Sequence, residues 1–151
     1  MKTIAFVLLA AIVVVSCKKS EIDELPPLTS PGLVAKIGGN SVNYGVPMAE
    51  RQVSTDGTET IFLSAFSGDG NSIEISLSKK GGITGGSYTA SNAAFIGVSD
   101  GSSYYVTGNN VSIKIISNDG LKVVGSFSGA AQDDVSGLST SIVEGRFYAN
   151  F

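Results

Sequence analysis

Apolar and polar residues alternate strictly in three stretches of the chain. In "NSIEISLS" Ile73, Ile75 and Leu77 fall on one face, with Glu74, Ser76 and Ser78 on the other. "VSIKIIS" repeats the pattern through Val111, Ile113 and Ile115 against Ser112 and Lys114. "LKVVGSFSG" groups Leu121, Val123 and Phe127, with Gly125 in step. A period of two means a strand with one buried and one wetted face, the habit of antiparallel sheets. Between such runs lie Gly38-Gly39-Asn40, Asp69-Gly70-Asn71 and Asn118-Asp119-Gly120, with Asp56-Gly57 and Asp100-Gly101 as further breaks. Asp-Gly between alternating runs is a strong hairpin signal.

The spacing predicts an all-β domain over residues 33–151, with about nine or ten short strands. Two antiparallel sheets packed as a sandwich are the first expectation, and a closed β-barrel is the second.

The start of the chain follows another pattern. Residues 4–15 are uniformly uncharged and apolar, after a positive Lys2. A membrane-spanning helix needs about 20 apolar residues, whereas a run of this length suits the core of a secretory signal. It ends in "VVSC", where Val14 is branched and apolar, Ser16 is small, and Cys17 is the only cysteine of the chain.

This arrangement resembles the lipobox of bacterial lipoproteins. The resemblance implies a signal peptide over residues 1–16, cleaved before Cys17, whose thiol carries a diacylglyceryl group with palmitate-type chains. A thiol is the nucleophile such a thioether needs, and two or more acyl chains hold a protein firmly to a membrane. Cys17 is therefore the expected lipid-attachment residue. Residues 17–32, "CKKSEIDELPPLTSPG", combine prolines and charges with few apolar side chains and read as a flexible tether. Its acids Glu21, Asp23 and Glu24, after Lys18, resemble the signal that exports many Bacteroidota lipoproteins to the cell surface; a solvated linker accounts for them equally well.

Composition narrows the chemistry. The chain has 13 acidic against 10 basic residues and a net charge of −3. Loss of Lys2 with the leader makes it one unit more negative. Nucleic-acid binding normally shows a basic patch, so no nucleic-acid partner is expected. The chain has no histidine and no tryptophan. Without histidine, and with Cys17 committed elsewhere, the domain lacks the usual zinc ligands and cannot build a Ser-His-Asp triad. Nor can it form an internal disulfide.

Four short segments in order, "LVAKIGGNSVNY", "GGSYTAS", "KVVGSFSGAA" and "SIVEGRF", resemble small all-β lipoproteins of the Bacteroidota. In those proteins an Ala-Lys-hydrophobic-x-Gly strand opens the domain and Gly-x-Phe strands close it. This chain departs from them at Gly38, where aspartate is frequent, and in having no tryptophan after the first hairpin. The resemblance implies fold and location and carries no activity with it.

Candidate sites are weighed against plainer roles. Asp56, Asp69, Asp100 and Asp119 each precede glycine. Two of them would serve a glycoside hydrolase if their carboxyls stood about 5 to 9.5 Å apart, but aspartate before glycine is first a turn former. Asp133 and Asp134 carry oxygens suited to calcium, in a spacing that matches no calcium loop and reads as a solvated connection. "GGITGG", residues 81–86, lacks the Lys-Ser ending of a phosphate loop and reads as a flexible connection. Tyr44, Tyr104 and Tyr105 remain as stacking candidates; adjacent strand residues face opposite ways, so one of the last two should point outward.

The resulting expectation is a lipid-anchored, non-enzymatic protein of the outer membrane, without a cofactor or metal, that binds or presents a glycan or another envelope protein. Two rivals stand beside it: a carboxylate-based glycoside hydrolase, and a structural subunit that assembles through an open sheet edge.

Overall fold

The computed structural model describes residues 25–151. Cys17, Lys18, Glu21, Asp23 and Glu24 lie outside the described residues, as does the leader.

Ten strands follow: β1 (Gly32–Ile37), β2 (Asn40–Gly45), β3 (Met48–Val53), β4 (Thr58–Phe66), β5 (Ser72–Lys80), β6 (Gly86–Thr89), β7 (Phe95–Ser99), β8 (Tyr104–Asn118), β9 (Lys122–Asp133) and β10 (Ser139–Asn150). All pair antiparallel in one sheet of order β2-β1-β10-β9-β8-β7-β5-β4-β3, with β6 added against β8. β8 spends its beginning, Tyr104 to Val106, beside β7 and a later part, Ser112 to Ile115, beside β6. Its register against β9 shifts twice, between Thr107 and Val111 and between Ile115 and Ser117. β10 shifts against β9 between Ile142 and Gly145, and β1 shifts against β10 between Val34 and Lys36. Such bulges add bend and twist, and they curl the sheet into a half-barrel.

The curl has a topological reason. β2 and β3 are consecutive in the chain, joined only through Val46 and Pro47, yet they occupy opposite ends of the sheet order. The short link draws the two edges toward each other, so that β3 approaches β10 and β2 approaches β4.

The aspartates before glycine act mainly in turns. Asp56 accepts from the Thr58 N–H, Asp100 from the Ser102 and Ser103 N–H groups, and Asp119 from the Leu121 and Lys122 N–H groups. Around Asp69 the same service comes from Ser67, whose hydroxyl accepts the Asn71 N–H. The expected inward residues Ile73, Ile75, Leu77, Val111, Ile113 and Ile115 are all buried. Leu121 is not. It is 77% exposed, because it sits in the turn before β9 and keeps step with that strand without belonging to it.

The two Gly-x-Phe segments are a reciprocal pair. Gly125 of β9 lies opposite Phe147 of β10, and Gly145 of β10 lies opposite Phe127 of β9. A Cβ on Gly125 would fall 2.5 Å from the Phe147 ring, and one on Gly145 2.5 Å from the Phe127 ring. Each glycine thus vacates the space that the opposite ring fills, and the two buried rings stack with centroids 6.2 Å apart.

Candidate ligand-binding mouth

The two ends of the half-barrel differ in chemistry. At one end the β1–β2, β4–β5 and β7–β8 turns surround a cavity of about 310 Å³. Apolar side chains of Ile37, Val42 and Val98 line it, together with polar groups from Asn40, Asn71, Ser99, Asp100 and Thr140. Two tyrosines complete the lining: Tyr44 from β2 and Tyr105 from β8.

Tyr44 is 2% exposed. It reaches this position because Val42 and Tyr44 are the inward residues of β2, an edge strand whose other side chains face solvent. Burial pushes its hydroxyl up to about 12, so the group is a neutral phenol at any ordinary pH. Among the described residues the Tyr44 hydroxyl has no protein hydrogen-bond partner. Asp100 is held below the usual carboxylate range, first by the Ser103 and Ser102 N–H groups, and stays ionised.

Sequence reasoning singled out three tyrosines, and the fold brings two of them together. Tyr104 goes elsewhere. It is 44% exposed on the outer sheet face, where its ring covers the bare Gly97 and its hydroxyl donates to Glu74 Oε2 at 3.0 Å. Burial and then the Glu74 carboxylate push Tyr104 up to about 12. It therefore straps β8 across β7 to β5.

The opposite end is sealed by residues that no motif announced. Glu59 is 5% exposed at an inward position of β4. Its Oε1 accepts from Arg51 Nε at 2.6 Å, and its Oε2 from the Ile83 N–H at 2.8 Å. Asn118 Nδ2 donates to the Ile83 carbonyl at 2.8 Å and more weakly to Glu59. Burial raises the Glu59 pKa, but the hydrogen bonds from Arg51 and Ile83, with the Arg51 charge, outweigh it and hold the carboxyl below its usual range. A signal for Glu59 did exist: in "TETIFLSAF" it takes the register of Ile61, Leu63 and Ala65.

The glycine-rich segment of residues 81–86 is part of this seal rather than the flexible connection its composition suggested. Ile83 is buried and tied to Glu59 and Asn118, and the Thr84 N–H donates to the Tyr88 hydroxyl, which donates back to the Thr84 carbonyl. Buried hydrogen-bonding groups nearby give this stretch an order that its glycines alone do not.

The other carboxylates are spread out. Asp133 accepts from the Val135 and Ser136 N–H groups in the β9–β10 turn, and Asp134 beside it is exposed. Among the described residues no three His, Cys, Asp or Glu side chains lie together as a metal site. Asp56 and Asp119 belong to turns at the sealed end, Asp69 and Asp100 to turns at the mouth. Asp56, Glu59, Asp100, Asp119 and Asp133 all shift downward.

No protein-family model, curated protein or solved structure matches the chain. The functional reading therefore rests on sequence and geometry.

Proposed function

We propose that this is a lipid-anchored, non-enzymatic cell-envelope protein of the Bacteroidota type. Cys17 carries the acyl chains, the proline-rich tether spaces the domain from the outer membrane, and the mouth of the half-barrel binds an envelope or extracellular partner. The observation that carries the binding role is the cavity lined by a buried tyrosine whose hydroxyl has no protein partner. The anchoring role rests on the order of leader, small residue and single cysteine. Within this reading the curled sheet works as a two-layer sandwich. β3, β4, β5 and β7 supply one layer, and β1, β2, β6, β9 and β10 the other, with β8 crossing between them. Support comes from inward residues of both groups, such as Ile61 and Ile75 against Ile113 and Phe147, which share one core.

The hydrolase alternative needs an acid with a raised pKa beside a second carboxylate, and the downward shifts above weigh against it. The assembly alternative draws support from the outer edges of β2 and β3, which end the sheet order. Against it, β3 carries Glu50 and Arg51, and charge on an edge strand opposes strand addition.

The reading is tested by expressing the full chain in a Bacteroidota host with an alkyne fatty acid, comparing wild type with Cys17→Ala, and treating intact cells with protease. Label lost in the variant, and a domain shaved from whole cells, is the expected result. Label retained in the variant refutes the anchor, and a domain protected from protease refutes the surface position.

A further inference from the structure

We infer that the mouth takes a neutral saccharide, a conclusion that deepens the binding role proposed above and rests on it. The cavity presents an unusual set of unused polar groups. Besides Tyr44, the Tyr105 hydroxyl, the Asn40 and Asn71 amides and the Thr140 hydroxyl have no protein hydrogen-bond partner among the described residues. Asp100 directs Oδ1 to its own turn and leaves Oδ2 unengaged. Of these residues only Tyr44 is buried, and its hydroxyl opens onto the cavity; the half-buried Tyr105, Asn71 and Thr140 and the exposed Asn40 surround it with further polar groups for a polar ligand to engage.

The chemistry of the lining selects the class. Amides and hydroxyls both donate and accept, which suits ligand hydroxyls that do the same. A carboxylate acceptor such as Asp100 suits them as well. Ile37, Val42 and Val98, with the two tyrosine rings, offer apolar surface for the C–H faces of a sugar ring. A wholly apolar ligand would leave the Tyr44 hydroxyl and both amides without partners, a penalty that disfavours it. An anion is opposed by Asp100, the only charged residue of the lining. At about 310 Å³ the cavity falls at the small end of ligand sites, which points to one or two sugar units.

The test uses full-length acylated protein in a polyoxyethylene detergent, with tyrosine rings labelled for NMR. The probes are cellobiose, maltose and chitobiose, with choline and galacturonate as cationic and anionic comparisons. The expected result is that at least one neutral disaccharide shifts the Tyr44 and Tyr105 ring signals. Tyr44→Phe should weaken that binding by about threefold to tenfold, while Tyr104→Phe on the outer face leaves it unchanged. If no neutral disaccharide moves these signals, or Tyr44→Phe binds as well as wild type, the saccharide assignment is overturned. Binding of choline or galacturonate alone, with the same Tyr44 dependence, also overturns it but leaves the mouth as a binding site.

Discussion

The sealed end and the mouth of this half-barrel contain similar side chains in opposite states. At the sealed end the buried polar groups are used up: Glu59 accepts at both oxygens, Asn118 bridges to Ile83, and the Tyr88 hydroxyl both donates and accepts. At the mouth, Tyr44 is as deeply buried as Tyr88, yet its hydroxyl bonds to no protein group. A satisfied buried polar group contributes about 1 kcal/mol to stability, whereas a hydroxyl open to the solvent in a cavity keeps its hydrogen bonds to water and adds little. The mouth has paired groups of its own, Thr107 to Ile96 and Asp133 to Val135 and Ser136, but at its cavity it leaves the Tyr44 hydroxyl open. On the function proposed above, that difference separates scaffold from site.

Breaking the scaffold shared by both ends should have the largest effect. Gly125→Ala or Gly145→Ala pushes a methyl into the opposite phenylalanine ring and into backbone: the Lys114 carbonyl for the first, the Phe127 carbonyl for the second. Overpacking of this kind costs about 3 kcal/mol, a fall of roughly 10 °C in Tm for a domain of this size, measurable by thermal denaturation. A loss under about 1 kcal/mol would mean that the rings move aside freely.

Next comes the seal itself. Glu59→Gln removes the charge facing Arg51 and forces an amide where two acceptor oxygens serve Arg51 and Ile83. Because Arg51 is 39% exposed, solvent screens part of the lost ion pair, and the expected cost is about 2 kcal/mol by urea unfolding. The mouth lies at the other end of the strands, and the saccharide affinity proposed for it should be unchanged.

Glu59 and Tyr44 should also act at opposite ends of the pH range. Glu59 has a lowered folded pKa, so its contribution is present above the ordinary glutamate value and is lost as pH falls through the folded one. Tyr44 has a raised folded pKa of about 12 against 10.0, so its contribution is present below pH 10 and is lost as pH rises toward 12. In a stability-versus-pH profile, Glu59→Gln should therefore flatten the acid limb and Tyr44→Phe the alkaline limb. Neither flattening should be complete, since Asp56, Asp100, Asp119 and Asp133 share the first limb and Tyr104 the second. An acid limb unchanged by Glu59→Gln would contradict the lowered folded pKa of Glu59, and an alkaline limb unchanged by Tyr44→Phe the raised one of Tyr44.

These differences also mark what sequence can carry. Local rules were readable: alternation placed Ile73, Ile75, Leu77, Val111, Ile113 and Ile115 inside, and the Asp-Gly steps located the hairpins. They misled at Leu121, where a turn residue happened to keep step with the strand after it. Order among strands was not readable, because alternation is the same for an edge and a centre, and nothing local sets β2 and β3 at opposite ends of the sheet. The seal was hidden for a related reason. Glu59 meets Ile83 across 24 positions and Ile83 meets Asn118 across 35, so the partners become neighbours only once the sheet has formed. Tyr44 and Tyr105 could be named singly, but their convergence on one cavity depends on the curl.

The most direct test of the division between scaffold and site is a matched pair of substitutions, Tyr88→Phe and Tyr44→Phe, compared by urea unfolding. Each deletes one oxygen from a buried tyrosine. The account predicts that Tyr88→Phe loses about 1 kcal/mol, because Thr84 is left without its partner. Tyr44→Phe should be neutral or slightly stabilising, because no protein bond is lost. Equal losses at the two positions would contradict the account, since they would mean that the Tyr44 hydroxyl is a structural group and the mouth holds nothing in reserve.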